Sequence, residues 1–283
     1  MVRKKKKFEW GYLCLIPGIG FILYFLGRAV AMMILQSVGF YNYTGKSGFS
    51  LEFWKNIFSQ NLLDNILFSM KIALLASTIA LAVVYPLALV TKQLRNHKIW
   101  LSLLKIPMYI PAQVACLLIL NVIGYNGVLN HFLQWLGVIS EPLRLKNDPW
   151  GVTTLLTQLW KNIPFMLVTI FPAVEGVRKD VLDSALDLGA NRIQQFFEVT
   201  LPLTLPTALV TFLMVFIRVF NDYIIANLTG PLYPSTVSNL MYQRAYIFND
   251  WHSAACIGVL MICSSLLIVT LYTKLGDYYQ KIS

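Results

Sequence analysis

The sequence predicts an all-α membrane protein in which six helices cross the bilayer as one domain, residues 1–283. Hydrophobic residues make up 57% of the chain, charged residues make up 13%, and the mean hydropathy is +0.62. A soluble domain carries about 25% charged residues, so this chain has too few to cover a surface facing water. The net charge of +10 comes from Lys and Arg at the ends of apolar segments. No basic stripe is interleaved with aromatics, so we expect no nucleic-acid partner.

Each predicted span has close to the 20 or so residues that a helix needs to cross the hydrocarbon core. The spans lie at about 11–39, 66–94, 106–123, 151–174, 205–228 and 253–273. The first could instead be a signal peptide, with Ala29, Val30 and Ala31 as its cleavage site. Its apolar stretch is much longer than the usual 7–15 residues, so we expect an uncleaved first helix. Pro107 and Pro111 interrupt the start of the third span.

The distribution of Lys and Arg predicts that both termini are cytoplasmic. In that orientation fourteen basic residues lie in cytoplasmic segments and five lie in the outer loops, at about 40–65, 124–150 and 229–252. We therefore expect a multi-pass membrane protein with residues 176–204 on the cytoplasmic side. Residues 126–138 in the second outer loop form an amphipathic pattern. It fits a helix at the membrane interface or a docking surface, and both alternatives remain open.

Neither the cysteines nor the histidines form a recognisable catalytic or metal-binding motif. The four cysteines lie inside apolar segments without a CxxC pair, as small apolar residues do. The sequence has no HExxH motif, no Ser-His-Asp spacing and no GxxxxGK[ST] motif that could hold ATP phosphates. We therefore expect no cofactor, no metal and no catalytic residue, and the chain is predicted not to be an enzyme.

The most informative polar segment is DSALDLGANRIQQFFEVTLP, residues 183–202, between the fourth and fifth spans. Apolar residues recur at helical spacing in 180–188 and again in 192–199. Gly189 lies between the two pieces, where it permits a sharp turn or the close approach of another backbone. Pro202 and Pro206 are predicted to end the second piece and to start the next span. The result is a helix-turn-helix lying across the membrane face, although an ordinary amphipathic loop explains the pattern equally well.

The spacing of this segment resembles the EAA loop of permeases in binding-protein-dependent ABC importers. That motif reads Glu-Ala-Ala, three residues, Gly, nine residues, Ile-x-Leu-Pro. This chain has Asp183 for Glu, Ser184 for the first Ala and Val199 for Ile. The residues to which the resemblance assigns ATPase coupling are Asp183, Ser184, Ala185, Asp187, Gly189, Ala190, Leu201 and Pro202.

The resemblance implies a type I ABC importer (MetI-like) permease with cytoplasmic coupling helices. Such a permease works in the lipid bilayer of a bacterial cytoplasmic (inner) membrane, with a second permease subunit, two cytoplasmic ATPase subunits and an extracytoplasmic solute-binding protein. Residues 126–145 and 249–262 are most similar to spermidine/putrescine permeases, which implies polyamine transport. The same machine carrying a sugar, phosphonate, thiamine or iron is the alternative. An ion-coupled secondary transporter is disfavoured, because no paired inverted repeat is visible.

Polar residues at membrane depth are candidates for the solute pathway, because a buried charge is costly and tends to be functional. These candidates, with their aromatic neighbours, are Asp222, Asn221, Arg218, Phe220, Tyr223, Lys161 and Asn162. Asp222 could hold an ammonium group against a cation–π face, or could simply neutralise Arg218 one helical turn away. Lys161 is predicted either to face the pore or to bind a backbone carbonyl freed by Pro164.

Overall fold

The computed structural model describes residues 11–41, 47–58 and 62–282, and within these ranges the chain contains helices and no strand. In chain order the helices are α1 (Gly11–Ser37), α2 (Glu52–Phe58), α3 (Leu62–Gln93), α4 (His97–Leu104), α5 (Ile106–Tyr109), α6 (Ala112–Ile123), α7 (Val128–Trp135), α8 (Val152–Glu175), α9 (Lys179–Asp187), α10 (Arg192–Gln194), α11 (Leu201–Asn221), α12 (Ile224–Thr229), α13 (Val237–Tyr242) and α14 (Trp251–Ile282). Two π-helical turns, Gln195–Thr200 and Gln243–Ile247, follow α10 and α13.

Five helical stretches of the described chain are long and apolar enough to cross a membrane. They are Pro17–Ser37, Leu62–Gln93, Ala112–Trp135, Arg192–Asn221 and Trp251–Lys274. The 24 residues of α8 also have sufficient length, about 36 Å at 1.5 Å per residue. This helix is less apolar because Gln158, Lys161 and Asn162 lie near its middle, where all three are buried. The arrangement is consistent with a six-helix core, and the all-α fold predicted from the sequence is confirmed.

The main core lies where α3, α8 and α11 pack together. Small residues of α3 such as Ala73, Ala76 and Ala80 are completely buried, so the neighbouring backbones can approach closely. On α8 the larger side chains of Met166 and Ile170 are equally buried against them. Apolar side chains alone give helices little reason to associate in lipid, so this close packing supplies much of the cohesion.

A second group of helices surrounds the start of α14. Residues of α2, α3 and α13 form a smaller apolar cluster with Cys256 and Ile257 of α14. Along its length α14 also packs against α1. Much of α1 faces outward, with Phe21 and Leu23 more than 60% exposed. Such an apolar surface is suited to lipid or to another membrane subunit.

Two predicted spans are interrupted by breaks in the helix. The span predicted at 106–123 divides into α5 and α6, because Ile110 is extended before Pro111. The span predicted at 205–228 likewise divides, since α11 ends at Asn221 and Asp222 has an extended backbone. Both breaks lie beside α8, whose polar residues are therefore close to the interrupted backbone.

The 126–138 segment does contain a short helix, α7. Asn130 is buried and anchors it, since its Nδ2 donates to the carbonyl oxygens of Gly124, Tyr125 and Leu143 at 2.9–3.1 Å. Phe132 and Trp135 are more than half exposed and stack with ring centroids 6.1 Å apart. The helix is thus fixed to the bundle while its aromatic side remains uncovered.

Candidate functional site

The first half of the 176–204 loop is α9, and its end is a well-formed cap. Gly189 has φ +88°, the left-handed conformation that glycine adopts at least cost. Its N–H donates to Leu186 O at 2.9 Å, and the N–H of Ala190 donates to Ala185 O at 3.0 Å. This pair of bonds is the Schellman motif. Three of the predicted coupling residues, Ala185, Gly189 and Ala190, therefore meet in one turn.

The second half begins with a capping box that the sequence analysis missed. The Asn191 Oδ1 accepts from the N–H groups of Ile193 and Gln194 at 3.0 and 2.9 Å. In return, the Gln194 Oε1 accepts from the Asn191 N–H at 2.9 Å. An Asn followed three residues later by Gln is a recognised signal for a helix start, so the sequence did carry this information.

Gln195 ties the two halves of the loop together. Its side chain is buried, and its Nε2 donates to Leu182 O of α9 at 2.6 Å. Beyond it the π-helical turn continues directly into α11, with the Leu201 N–H bonded to Phe196 O. The second piece therefore does not end at Pro202, contrary to the sequence prediction, but Pro202 does lie at the start of the next long helix, as predicted. The wide turn changes the bonding pattern just before the proline, which lies in the first turn of α11, where a missing N–H is tolerated.

Several large apolar side chains of the loop are exposed on its surface. Leu188 is 89% exposed, Ile193 is 69% exposed and Phe197 is 59% exposed. Asp183 and Asp187 are exposed as well. Around Gly189 the space is open, because a Cβ built there would meet nothing within 4 Å, its chain neighbours apart. The Ser184 hydroxyl donates back to Asp180 O within α9 at 2.8 Å, and Leu201 and Pro202 begin α11.

Lys161 binds the broken segment between α5 and α6. Its side chain is 6% exposed, and its Nζ donates to Pro107 O at 3.0 Å, to Met108 O at 3.2 Å and to Ile110 O. The ammonium thus binds carbonyls that precede Pro111, and none of these bonds goes to a carbonyl freed by Pro164. Asn162, one position further, donates to Gln158 O and Oε1 at 2.8 and 3.0 Å.

Asp222 lies at the other break, between α11 and α12. Its Oδ1 accepts from the Ile225 N–H at 2.9 Å, as a capping carboxylate does. Among the described residues, Asp222 forms no salt bridge with Arg218. Instead the guanidinium carbon of Arg218 lies 5.5 Å from the ring centroid of Phe165. Asn221 is exposed and donates to Ile217 O and to Ser265 Oγ.

The two aromatic candidates, Phe220 and Tyr223, lie in different surroundings. Phe220 is 3% exposed and stacks on Phe216, with ring centroids 6.1 Å apart, inside the main core. Tyr223 is 38% exposed and stacks on Tyr242, with centroids 4.9 Å apart. It lines a cavity of about 400 Å³ between α1, α13 and α14, which the sequence analysis did not foresee.

Long apolar helices around a core with two helix breaks, joined by the capped hairpin of residues 176–204, are the features of a multi-pass membrane protein. Residues 95–281 match the model of a family described as binding-protein-dependent transport system inner membrane component. The chain therefore belongs to this family of permease subunits. As predicted, it is a transport subunit of an inner membrane and not an enzyme.

Individual relatives agree with this assignment. The spermidine/putrescine transport system permease protein PotB of Haemophilus influenzae is 26% identical over 267 residues, covering 93% of this chain and 89% of the relative. The sulfoquinovosyl glycerol transport system permease protein SmoG of Agrobacterium fabrum is 27% identical over 182 residues, or 62% of this chain and 58% of the relative. A bacterial alginate ABC transporter, solved with an alginate pentasaccharide-bound periplasmic protein, shares the fold, with TM-score 0.81, 18% identity and 95% and 94% coverage.

Proposed function

We propose that the chain is the permease subunit of an ATP-driven, binding-protein-dependent importer. Two cytoplasmic ATPase subunits, a second permease subunit and an extracytoplasmic solute-binding protein complete this machine, and both termini lie in the cytoplasm. The observation that carries the proposal is the capped 176–204 hairpin with Leu188, Ile193 and Phe197 exposed. Exposed apolar side chains on an otherwise polar element are typical of a docking surface.

The hairpin is connected to both helices that would have to move. It follows α8 after Gly176, and through the π-helical turn it is continuous with α11. Because Lys161 of α8 holds the carbonyls of 107–110, a displacement of α8 would carry that broken segment with it. ATP-driven movement of the hairpin would thus reach the helix breaks at 110–111 and 222–223.

Copurification tests the coupling assignment. We expect the ATPase subunits, coexpressed with the tagged permease, to copurify with the wild type and to be lost from the double variant Leu188→Ser, Phe197→Ser. Leu232→Ser is the matched control, because Leu232 is 83% exposed but lies outside the hairpin, between α12 and α13. Retention of the ATPase by the double variant would remove the hairpin from the interface. A secondary transporter would copurify without any ATPase subunit.

The first candidate cargo is a polyamine. It is supported by the similarity to PotB, which extends over 93% of this chain. In this proposal Asp222 would hold an ammonium group while Tyr223 offers a ring face. The other polar candidates, Asn221, Arg218 and the Lys161–Asn162 pair, would line or shape the same path.

The second candidate cargo is a carbohydrate, and the side chains favour it. Asp222 already caps α12, and Arg218 and Lys161 are cationic. Transfer of an ion from water into a protein interior costs several kcal/mol, whereas a cation–π contact returns about 0.5–2 kcal/mol. Several ammonium groups therefore need more carboxylates than these candidates provide. A carbohydrate has no ammonium groups and avoids that cost, and SmoG is named for a glycoside.

ATPase stimulation distinguishes the cargo classes. The reconstituted complex with its binding protein is presented with spermidine, putrescine, sugars, phosphonates, thiamine and iron in turn. Stimulation by spermidine or putrescine would support the first candidate, and stimulation by a sugar would support the second. Absence of ATPase activity with every compound would contradict the importer function itself.

A further inference from the structure

The cavity between α1, α13 and α14 has the chemistry of a binding site. Its volume is about 400 Å³, within the range of small-molecule pockets. Its walls are aromatic, thioether, amide and small side chains. The lining residues are Met33, Gln36, Tyr223, Met241, Tyr242, Ala245, Tyr246, Trp251, Ala254 and Ala255. None of these residues carries a formal charge.

Four of the lining residues form a continuous row of aromatic rings. The ring centroids of Tyr223 and Tyr242 are 4.9 Å apart, those of Tyr242 and Tyr246 are 4.9 Å apart, and those of Tyr246 and Trp251 are 5.3 Å apart. The members come from the α11–α12 break, from α13 with its π-helical turn, and from the start of α14. A row assembled from three separate segments gives a solute a long aromatic wall.

Gln36 supplies a polar group that the protein leaves unsatisfied. Its Nε2 is buried and has no hydrogen-bond partner. Its backbone oxygen is held by the Gly39 N–H at 3.1 Å and lies 2.6 Å from the His252 Nδ1, so the end of α1 is fixed against α14. A buried donor without an acceptor is costly, and an acceptor on a bound solute would relieve that cost.

We propose that this pocket binds an uncharged, polyhydroxylated solute such as a sugar or glycoside. The inference rests on the proposed importer function and commits to its second cargo class. The aromatic row would pack against the C–H faces of the solute, and a solute hydroxyl would accept a hydrogen bond from the Gln36 Nε2. A polyamine fits less well, because its ammonium groups are donors and the walls offer no carboxylate.

Equilibrium dialysis of the permease–ATPase complex, without a binding protein, tests this site. The probes are radiolabelled maltose, trehalose, glucosylglycerol and spermidine. We expect at least one of the three carbohydrates to bind. Tyr242→Ala should weaken that binding at least tenfold, Tyr242→Phe should keep it within threefold, and Gln36→Leu should weaken it about fivefold. Tyr109→Ala is the matched control, because Tyr109 is 76% exposed and does not line the pocket.

The outcomes separate this inference from the importer function. Binding of spermidine alone, weakened by Tyr242→Ala, would overturn the uncharged solute class and leave the importer intact. Carbohydrate binding unaffected by both Tyr242→Ala and Gln36→Leu would overturn the site, as would no binding of any probe to the wild type. The same preparation reports on the larger proposal, since loss of the ATPase from the wild-type complex would contradict the importer function.

Discussion

Lys161→Met removes an ammonium group that holds the backbone between α5 and α6. Methionine has a similar length and no donor, so the variant leaves the carbonyls of Pro107, Met108 and Ile110 without this partner. Side-chain bonds between membrane helices contribute about 0.6–1.7 kcal/mol each, so three of them amount to roughly 2–5 kcal/mol. Burying a methionine is cheaper than burying a charge, which offsets part of the loss. We expect a net destabilisation of about 2–3 kcal/mol.

The assay is reversible unfolding of the purified permease by SDS in mixed micelles, followed by circular dichroism. Lys71→Met is the control, because Lys71 also lies in a long helix but has a single 3.4 Å contact with Trp150 O beside its ring contacts. We expect the control to lose less than about 1 kcal/mol. Equal stability of Lys161→Met and the wild type would show that Lys161 does not hold the segment between α5 and α6. Rapid labelling of Lys161 by a water-soluble amine reagent in the folded protein would likewise contradict a buried, carbonyl-bound ammonium group.

Three further changes test the loop and the helix breaks. Gly189→Asp adds bulk and charge where the space is open and strains the left-handed turn at φ +88°. We expect membrane insertion to persist and the ATPase to be lost on copurification; survival of both association and transport would refute the coupling role. Asp222→Asn keeps an oxygen for the Ile225 N–H, so assembly should persist. This variant tests the polyamine candidate, for which uptake of the cationic solute should fall several-fold; unchanged uptake would remove Asp222 from the pathway. Tyr85→Phe removes the 3.0 Å bond to Thr204 between α3 and α11 and should cost about 1 kcal/mol in the SDS titration; an unshifted midpoint would show that the bond contributes nothing.

Local sequence signals accounted for the helices and for the turn of the loop. Apolar runs of the right length predicted the long helices, and Gly189 predicted the turn that closes α9. The Asn191 capping box was equally local and could have been read from the sequence. These features depend on residues within one or two turns of each other, which is why sequence patterns report them.

Contacts between segments that are distant in sequence could not be predicted from such local patterns. The partners of Lys161 lie more than fifty residues away in sequence, so nothing near the lysine indicated them. Asp222 was placed inside the span predicted at 205–228, yet it ends α11 and caps α12. Tyr242 and Tyr246 have visible helical spacing, but only tertiary packing brings Trp251 to the same wall.

The π-helical turn at Gln195–Thr200 sets the orientation of the hairpin relative to α11. Its wide turn closes a hydrogen bond over five residues, from Leu201 N–H to Phe196 O, where an α-helix spans four. Removing one residue from it would restore the ordinary pattern. The hairpin would then rotate by about 100° around the α11 axis and shift by about 1.5 Å. A single deletion or insertion here could therefore change the direction in which the hairpin points while leaving the residues outside the turn unchanged.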